Sequence, residues 1–198
     1  VNMNYFEEIK REVLKFENLG IENSKDGAIL IGKAPHNGHE GWLNIIYPVL
    51  SKDELISLVK ELKMLIPDVY SEFLMNFSNG LNILSSTFSL YGLRRQINRL
   101  EGGKIRQPYS IITPNLHERP DNSKDSFFFI GGYNWDGSHL YIDKETGFIH
   151  CCERWDATSK IQWESLEGMI LSELKRLYLL FDNNGVELDE DLETIPYS

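Results

Sequence analysis

The chain has 198 residues, 41% of them apolar, and a formal net charge of −10 at pH 7. This length suits one domain that buries its own core, so neither disulfides nor metals are needed to stabilise it. The acidic balance argues against direct binding of nucleic acid or of an anionic membrane, because both attract Lys and Arg.

Two further features concern the cellular compartment. Cys151 and Cys152 are adjacent and cannot close a useful loop, which favours a reducing environment over a disulfide framework. The first residues lack the basic region and apolar run of a signal peptide, and no apolar run is long enough to cross a membrane. We therefore expect a cytoplasmic protein.

The first fifty residues contain one predicted helix and one predicted strand. Apolar residues recur at helical spacing from Asn4 to Glu17, and Gly20 ends this pattern. The apolar run Ala28–Ile31 lies among glycines and predicts a short strand. We interpret residues 1–50 as an N-terminal helix and extension that pack on the main domain.

Two helices are predicted between residues 51 and 80. Ser51 and Glu54 have the spacing of a capping box, so the first helix begins there and runs to Met64. Pro67 suits the first position of the second helix, because its missing N–H needs no partner there. The residues predicted to form the buried face of this second helix are Val69, Tyr70, Phe73, Leu74 and Phe77.

Strands dominate the sequence between residues 81 and 152, where residues 102–124 also predict a long loop rich in Gly, Pro, Asn and Ser. The segment Phe127–Ile130 is apolar on both faces, which is typical of a central strand. The predicted strands are Leu81–Ser85, Phe88–Tyr91, Tyr109–Thr113, Phe127–Ile130, His139–Asp143 and Phe148–Cys152.

A last helix is predicted from Glu164 to Phe181, and residues 182–198 contain six acids and no base. We interpret residues 51–181 as the main domain and residues 182–198 as an acidic C-terminal tail. Helices, then strands, then a helix predict an α+β fold with a twisted, mainly antiparallel β-sheet packed against helices.

Motifs for catalysis and cofactor binding are weak. The chain has no P-loop, no Gly-x-Gly-x-x-Gly motif after a strand and no Gly-x-Ser-x-Gly elbow. His36, His39 and Glu40 lie in a loop rich in Gly and Asn, whereas a zinc site needs three or four converging ligands. We therefore predict a polar surface loop there, and no metal or cofactor.

A row of polar residues follows one face of a predicted strand. His139, Tyr141 and Asp143 alternate with Leu140 and Ile142, and His150 lies across the hairpin. A His–Asp pair can serve as a general acid and base. No nucleophile accompanies the row, so we favour a solvent-facing row on a half-exposed sheet and predict no catalytic residue.

Large aromatic residues lie beside charges at the ends of two predicted strands, where they either cap the core or form a binding surface. The candidate partner-binding residues are Tyr133, Trp135, Asp136, Glu153, Arg154 and Asp156, and Trp155 lies among them. A basic segment is the alternative partner patch, formed by Arg94, Arg95 and Arg99 with Lys104 and Arg106 nearby.

The order of several short motifs resembles the SUKH superfamily, which includes yeast-type regulators of cell-wall assembly and many bacterial immunity proteins. The first part of the resemblance lies in Pro67, Tyr70, Phe73-Leu74, Asn79-Gly80 and Leu90-Tyr91-Gly92. The second part lies in Phe128 to Gly131, Asp136-Gly137, Tyr141, Asp143 and Gly147. The chain departs from the pattern in its first fifty residues and in a longer section from Arg94 to Lys124.

The resemblance implies a SUKH-like α+β fold without catalytic activity. It implies a cytoplasmic immunity protein or antitoxin that binds and neutralises a cognate bacterial toxin, for example a nuclease, as a monomer or weak homodimer. An acidic inhibitor suits a basic nuclease, because complementary charge speeds association. The alternatives are an intracellular scaffold or regulator of the cell-wall assembly type, and a small hydrolase that uses His139 or His150 with Asp143.

Overall fold

The computed structural model describes residues 4–95 and 105–197. In these ranges the α-helices are α1 (Asn4–Val13), α2 (Lys52–Leu62), α3 (Asp68–Asn76) and α4 (Leu166–Tyr178). Short 3₁₀ helices lie at Leu14–Leu19 and Pro35–Asn37, and one π-helical turn lies at Thr113–His117. None of the helices in this part of the chain is long and apolar enough to cross a membrane.

The described residues form one antiparallel sheet in which the strands follow one another in chain order. Its strands are β1 (Ile21–Asn23), β2 (Ile29–Lys33), β3 (Trp42–Ile46), β4 (Leu81–Ile83), β5 (Phe88–Leu90), β6 (Phe127–Tyr133), β7 (His139–Asp143), β8 (Ile149–Cys152) and β9 (Ile161–Trp163). With helices packed on this sheet, the predicted α+β fold is confirmed. The predicted central strand is β6, buried along its whole length.

The four helices and one face of the sheet enclose the main core. Tyr70, Phe73 and Leu74 of α3 are buried there, as predicted. Val69 was predicted to be buried with them but is 38% exposed, because only the Tyr70 side of this short helix faces the sheet. The predicted capping box starts α2: the Glu54 amide donates to Ser51 Oγ, and the Ser51 amide donates to Glu54 Oε1, each at 3.1 Å.

The first fifty residues share this sheet and this core. Strands β1 to β3 extend the sheet beyond β4, and α1 lies beside α4. The Tyr178 hydroxyl donates to the carbonyl of Glu12 at 2.9 Å, and Asn44 Nδ2 donates to the carbonyl of Val13 at 2.8 Å. These bonds attach the N-terminal helix to both the sheet and the last helix.

The second face of β6 and β7 is covered, so the predicted solvent-facing row is wrong. His139, Tyr141 and Asp143 are all buried. The segments that pack on this face are residues 109–125 and 153–159, whose contacts include a bond from the Tyr141 hydroxyl to the Ala157 carbonyl at 2.9 Å. A long loop covers most of this face. No amphipathic pattern in the sequence predicts that this loop packs on the sheet.

The strand predicted at Tyr109–Thr113 is also wrong. Ser110 forms a single parallel bridge with Gly92, and the chain then enters the turn at Thr113–His117. Pro114 has no N–H to donate to a sheet, and Asn115 bonds its own segment by donating to the Ile111 carbonyl at 2.9 Å. Both residues favour a turn.

The acidic tail is attached to the domain near its start, where the Leu188 amide donates to the Leu180 carbonyl at 2.9 Å, and again near its end. Leu188 and Leu192 are exposed, whereas Thr194 and Ile195 are buried. Arg176 of α4 donates to the Thr194 carbonyl at 2.7 Å. Ile195 belongs to the main core, so the tail returns to the domain after its acidic stretch.

Candidate functional site

The exposed aromatic and charged residues predicted to bind a partner lie at one end of the sheet. The β6–β7 turn and the segment after β8 are neighbours because His139 of β7 pairs with Cys152 of β8. Arg154 lies against the turn: a Cβ added at Gly137 would meet Arg154 Cδ at 2.9 Å. We call this the aromatic–charged surface and define it as Trp135, Asp136, Glu153, Arg154, Trp155 and Asp156.

Two tryptophans give this surface its apolar area. Trp135 is 41% exposed and Trp155 is 60% exposed. The Arg154 guanidinium lies 4.9 Å from the centre of the Trp155 ring, within the range of a cation–π contact. Large exposed aromatic rings beside arginine are typical of binding surfaces.

Tyr133 does not belong to this surface. Its side chain is only 3% exposed and lies in the main core, where its hydroxyl donates to Glu173 Oε2 at 2.6 Å. Burial and the Glu173 carboxylate raise the pKa of Tyr133 well above its ordinary value. Tyr133 also lines the cavity described below, and its role in partner binding stays a prediction.

The charges of the surface are held in place by neighbours. Arg154 pairs with Glu118 at 3.6 Å, and Lys160 pairs with Glu153 at 2.8 Å. Asp136 accepts from the Ser138 amide at 2.9 Å and from the Tyr197 hydroxyl at 3.1 Å.

Asp156 is fixed in the same way. It accepts from the Thr158 amide at 2.9 Å and from Asn122 Nδ2 at 2.7 Å. The bonds from Thr158, and that from Asn122, lower the pKa of Asp156 to about 2. The carboxylate therefore stays charged at neutral pH.

A cavity of about 290 Å³ lies beside this surface, on the face of the sheet away from the helices. Ser89, Gly132 and His139 line it, and they are direct neighbours across β5, β6 and β7. The cavity depends on Gly132 because a Cβ there would lie 2.6 Å from the Tyr91 hydroxyl. Its other lining side chains include Tyr91, Tyr109, Thr113, Pro114, Glu118 and Asn134.

His139 is the unusual member of this cavity. It is 7% exposed, and within the described residues neither of its ring nitrogens has a hydrogen-bond partner. Its ring meets Phe129 edge-on at 5.4 Å. Burial, and then the positive charge of Arg154, lower the pKa of His139 to about 4, so the imidazole is neutral at pH 7.

A second cavity of about 330 Å³ contains the residues of the hydrolase alternative. His150 Nδ1 lies 2.8 Å from Ser159 Oγ, and Asp143 lines the same cavity. The His150 ring stacks on Tyr141 at 5.0 Å. His139 and Asp143 are four residues apart on β7, which separates them by roughly 13 Å and excludes a direct pair.

The alternative basic patch is partly neutralised. Arg95 forms an ion pair with Glu54 and donates to the carbonyl of Val49 at 3.1 Å. The bond from Arg95 is the largest of the causes that lower the pKa of Glu54 to about 2. Arg94 also has an interaction partner, and Arg99 and Lys104 lie outside the described residues.

Metal ligands do not converge in the part of the chain that the structure covers. His36 Nε2 lies 3.2 Å from the carbonyl of Gly185, and no group of three or more His, Cys, Asp or Glu side chains could hold an ion among residues 4–95 and 105–197. Cys151 and Cys152 are buried free thiols. Burial raises the pKa of both thiols, which disfavours the reactive thiolate.

Three features of the site were missing from the predicted residues. Trp155 is not among the predicted binding residues, although it is the more exposed of the two surface tryptophans. Glu118 comes from the loop predicted only by composition. The alignment of Ser89, Gly132 and His139 depends on strand register, which no short motif reports.

Comparison with models of protein families, with curated proteins and with solved structures gives no match. The resemblance to the SUKH superfamily therefore stays a prediction that depends on the motifs alone.

Proposed function

We propose that this chain is a non-catalytic immunity protein that binds and neutralises a protein toxin through the aromatic–charged surface. The observation that carries the proposal is the pair of exposed tryptophans, Trp135 and Trp155, beside the ion pair of Arg154 and Glu118. Interface energy is concentrated in Trp, Tyr and Arg, and preformed geometry lowers the entropy lost on binding.

Charge indicates the kind of toxin. The chain carries a net charge of −10, and Asp136 and Asp156 lie at the surface with their carboxylates held by hydrogen bonds. Such a surface complements a cationic protein, for example a nuclease that binds phosphates. The SUKH resemblance supports the same proposal, because many bacterial members of that superfamily are immunity proteins.

The direct test is titration against the toxin encoded by a neighbouring gene. Trp135→Ala and Trp155→Ala should each weaken binding by about 2 kcal/mol or more, because both remove a ring from the centre of the proposed interface. Leu179→Ala is the control, since Leu179 is an apolar residue directly after α4 that is more exposed than either tryptophan. Thermal unfolding of each variant should match that of the wild type.

Two results would contradict the proposed surface or the proposed function. Normal binding by both tryptophan variants, with weak binding by Arg95→Ala, would move the interface to the basic patch. If no neighbouring toxin binds at all, the scaffold or regulator alternative replaces the immunity function.

The bond between His150 and Ser159 supports a second candidate function. A hydroxyl 2.8 Å from an imidazole nitrogen is the start of a nucleophile–base pair, and Asp143 lies in the same cavity. As a hydrolase the protein should cleave p-nitrophenyl acetate, and Ser159→Ala and Asp143→Asn should abolish this activity without unfolding the chain. Equal rates for the wild type and Ser159→Ala would reject this function.

A further inference from the structure

The cavity beside the aromatic–charged surface has a polar floor and aromatic walls. Its floor is the row of Ser89, Gly132 and His139 across three strands. The rings of Tyr91, Tyr109 and Pro114 belong to its walls. Such a mixture suits a flat ring that carries one hydrogen-bonding group.

His139 has hydrogen-bonding capacity that the described part of the chain leaves unused. A neutral imidazole offers one N–H donor and one nitrogen acceptor, and neither nitrogen has a partner within residues 4–95 and 105–197. A buried polar group without a partner costs free energy, so most such groups in native proteins are paired. Both nitrogens are buried, so a ligand hydroxyl reaches one of them only when the side chains that cover it shift. A hydroxyl then suits either nitrogen, because it both donates and accepts.

The charges around the cavity disfavour an ionic ligand. Glu118 is the single charged residue among its described lining residues, and Arg154 already pairs with it. A buried ammonium or carboxylate would lose its hydration without gaining an unpaired opposite charge. A neutral group avoids this penalty.

Glu118 and Arg154 also connect the cavity to the aromatic–charged surface. Glu118 lines the cavity, while Arg154 contacts the Trp155 ring. A protein bound on the two tryptophans therefore lies within reach of the cavity. Interface hot spots commonly insert one large side chain into such a pocket.

We propose that this cavity receives a tyrosine side chain of the toxin, with its phenol hydroxyl bonded to His139. The proposal rests on the immunity function proposed above, but the chemistry of the cavity is testable without any toxin. The phenol ring would lie between the aromatic walls, and the hydroxyl would reach the polar floor. This assigns His139 a binding role in place of the catalytic role considered from the sequence.

The first experiment titrates the full-length protein with p-cresol, the side-chain analogue of tyrosine, and follows the imidazole nitrogens by NMR. We expect a saturable shift at His139 with a dissociation constant of about 1–10 mM, as befits a ligand of this size. Toluene lacks the hydroxyl and should bind at least about fivefold more weakly, because the imidazole would remain unpaired. n-Butylamine, the lysine analogue, should not compete.

The variants are His139→Phe, which removes both nitrogens, and Thr113→Phe, which fills the cavity from its wall. Both should lose the p-cresol response, which in these variants is followed at the signals of Tyr91 and Tyr109, two residues that line the cavity. His150→Phe is the matched control, since His150 lies on the adjacent strand outside this cavity. Its response should equal that of the wild type. If His139→Phe does not fold, Thr113→Phe carries the test.

Several outcomes would overturn the assignment of a phenol. These are equal binding of toluene, competition by n-butylamine, or a p-cresol shift at His150 instead of His139. In the second experiment His139→Phe and Thr113→Phe should each weaken toxin binding at least about tenfold, within the hot-spot range. Normal toxin binding by both variants would overturn the inserted tyrosine but not the immunity function. Complete absence of toxin binding by the wild type would overturn that function, whatever p-cresol does.

Discussion

The side chain of Asn115 bonds both backbone groups of Phe129. Asn115 Nδ2 donates to the Phe129 carbonyl at 2.8 Å, and the Phe129 amide donates to Asn115 Oδ1 at 2.9 Å. These bonds lie where β6 bulges between Phe129 and Gly131, so the register against β7 shifts. A loop residue thus supplies the partners that a neighbouring strand would otherwise provide.

Replacing Asn115 by Ala should therefore destabilise the protein strongly. Two buried backbone groups of Phe129 would lose their partners, which costs roughly 2–4 kcal/mol in the free energy of unfolding. Urea unfolding measures this change. Asn37→Ala is the control, because the bond from Asn37 to Ser85 is exposed and its loss should cost less than about 1 kcal/mol. Similar costs for the two variants would contradict the role of Asn115.

The packing of α3 on the sheet gives a second stability prediction. Phe73 is fully buried and stacks on Tyr70 at 5.6 Å. Phe73→Ala should cost about 3–5 kcal/mol, because it removes a large ring and leaves a cavity. Val69→Ala on the exposed side of the same helix should change the free energy of unfolding by less than about 0.5 kcal/mol. A cost below about 1 kcal/mol for Phe73→Ala would mean that α3 is not docked.

The helices were largely predictable because their signals are local. The capping box of Ser51 and Glu54 and the spacing of Tyr70, Phe73 and Leu74 each lie within a few residues. Strands β2 and β4 to β8 were predictable for the same reason, through runs such as Phe127–Ile130, whereas β1, β3 and β9 were not predicted. Once the strands are known, their order along the chain gives the sheet, because each strand pairs with the next.

The bulge in β6 explains why the site was less predictable. Simple alternation from Phe128 and Ile130 would place Tyr133 on the face away from the helices. The extra residue reverses the alternation, so Tyr133 enters the main core and Gly132 joins His139 on the other face. The bulge in turn depends on Asn115, from a distant loop. A non-local hydrogen bond of this kind leaves no periodic pattern in the sequence.

The lowered pKa of His139 gives a pH prediction. In the folded protein this pKa is about 4, against 6.5 in the unfolded chain, so the unfolded state binds the proton more tightly between these values. The folded state is therefore favoured by the neutral form of His139 above about pH 6.5. This contribution to the free energy of unfolding is lost as the pH falls towards 4. The groups around the imidazole act in both directions, since Arg154 lowers the pKa while Glu118 and Asp136 raise it.

The measurement compares the wild type with His139→Phe by urea unfolding at several pH values. The difference between their free energies of unfolding should shift by roughly 3 kcal/mol against the wild type from pH 7 to pH 4. Other titrating groups largely cancel in this difference. A difference that does not vary with pH would show that His139 gains a proton as readily in the folded protein as in the unfolded chain.

The tail provides a fourth prediction. Deletion of residues 186–198 should leave a folded domain, because the helices and the sheet lie before these residues. Stability should nevertheless fall, since Ile195 is buried in the main core and Arg176 bonds the Thr194 carbonyl. Ile195→Ala alone should cost about 2–5 kcal/mol, whereas Leu192→Ala, at an exposed position, should cost less than about 0.5 kcal/mol. If the truncated chain does not fold, the tail is a part of the core that folding requires.

The last prediction concerns the rate at which a cationic toxin associates. Asp136 accepts hydrogen bonds from the Ser138 amide and the Tyr197 hydroxyl, which carry no charge, whereas Glu153 is paired with Lys160 at 2.8 Å. The negative charge of Asp136 is therefore neutralised less by its neighbours than that of Glu153. Asp136→Asn should accordingly slow association more than Glu153→Gln. At 0.15 M salt charges are screened beyond about 8 Å, so the effect of Asp136→Asn should shrink as salt rises. Stopped-flow kinetics at several salt concentrations measures this effect, with the dissociation rate as an internal control because steering acts mainly on association. An equal slowing by both variants, or one that salt does not change, would show that Asp136 acts by direct contact and not through its charge.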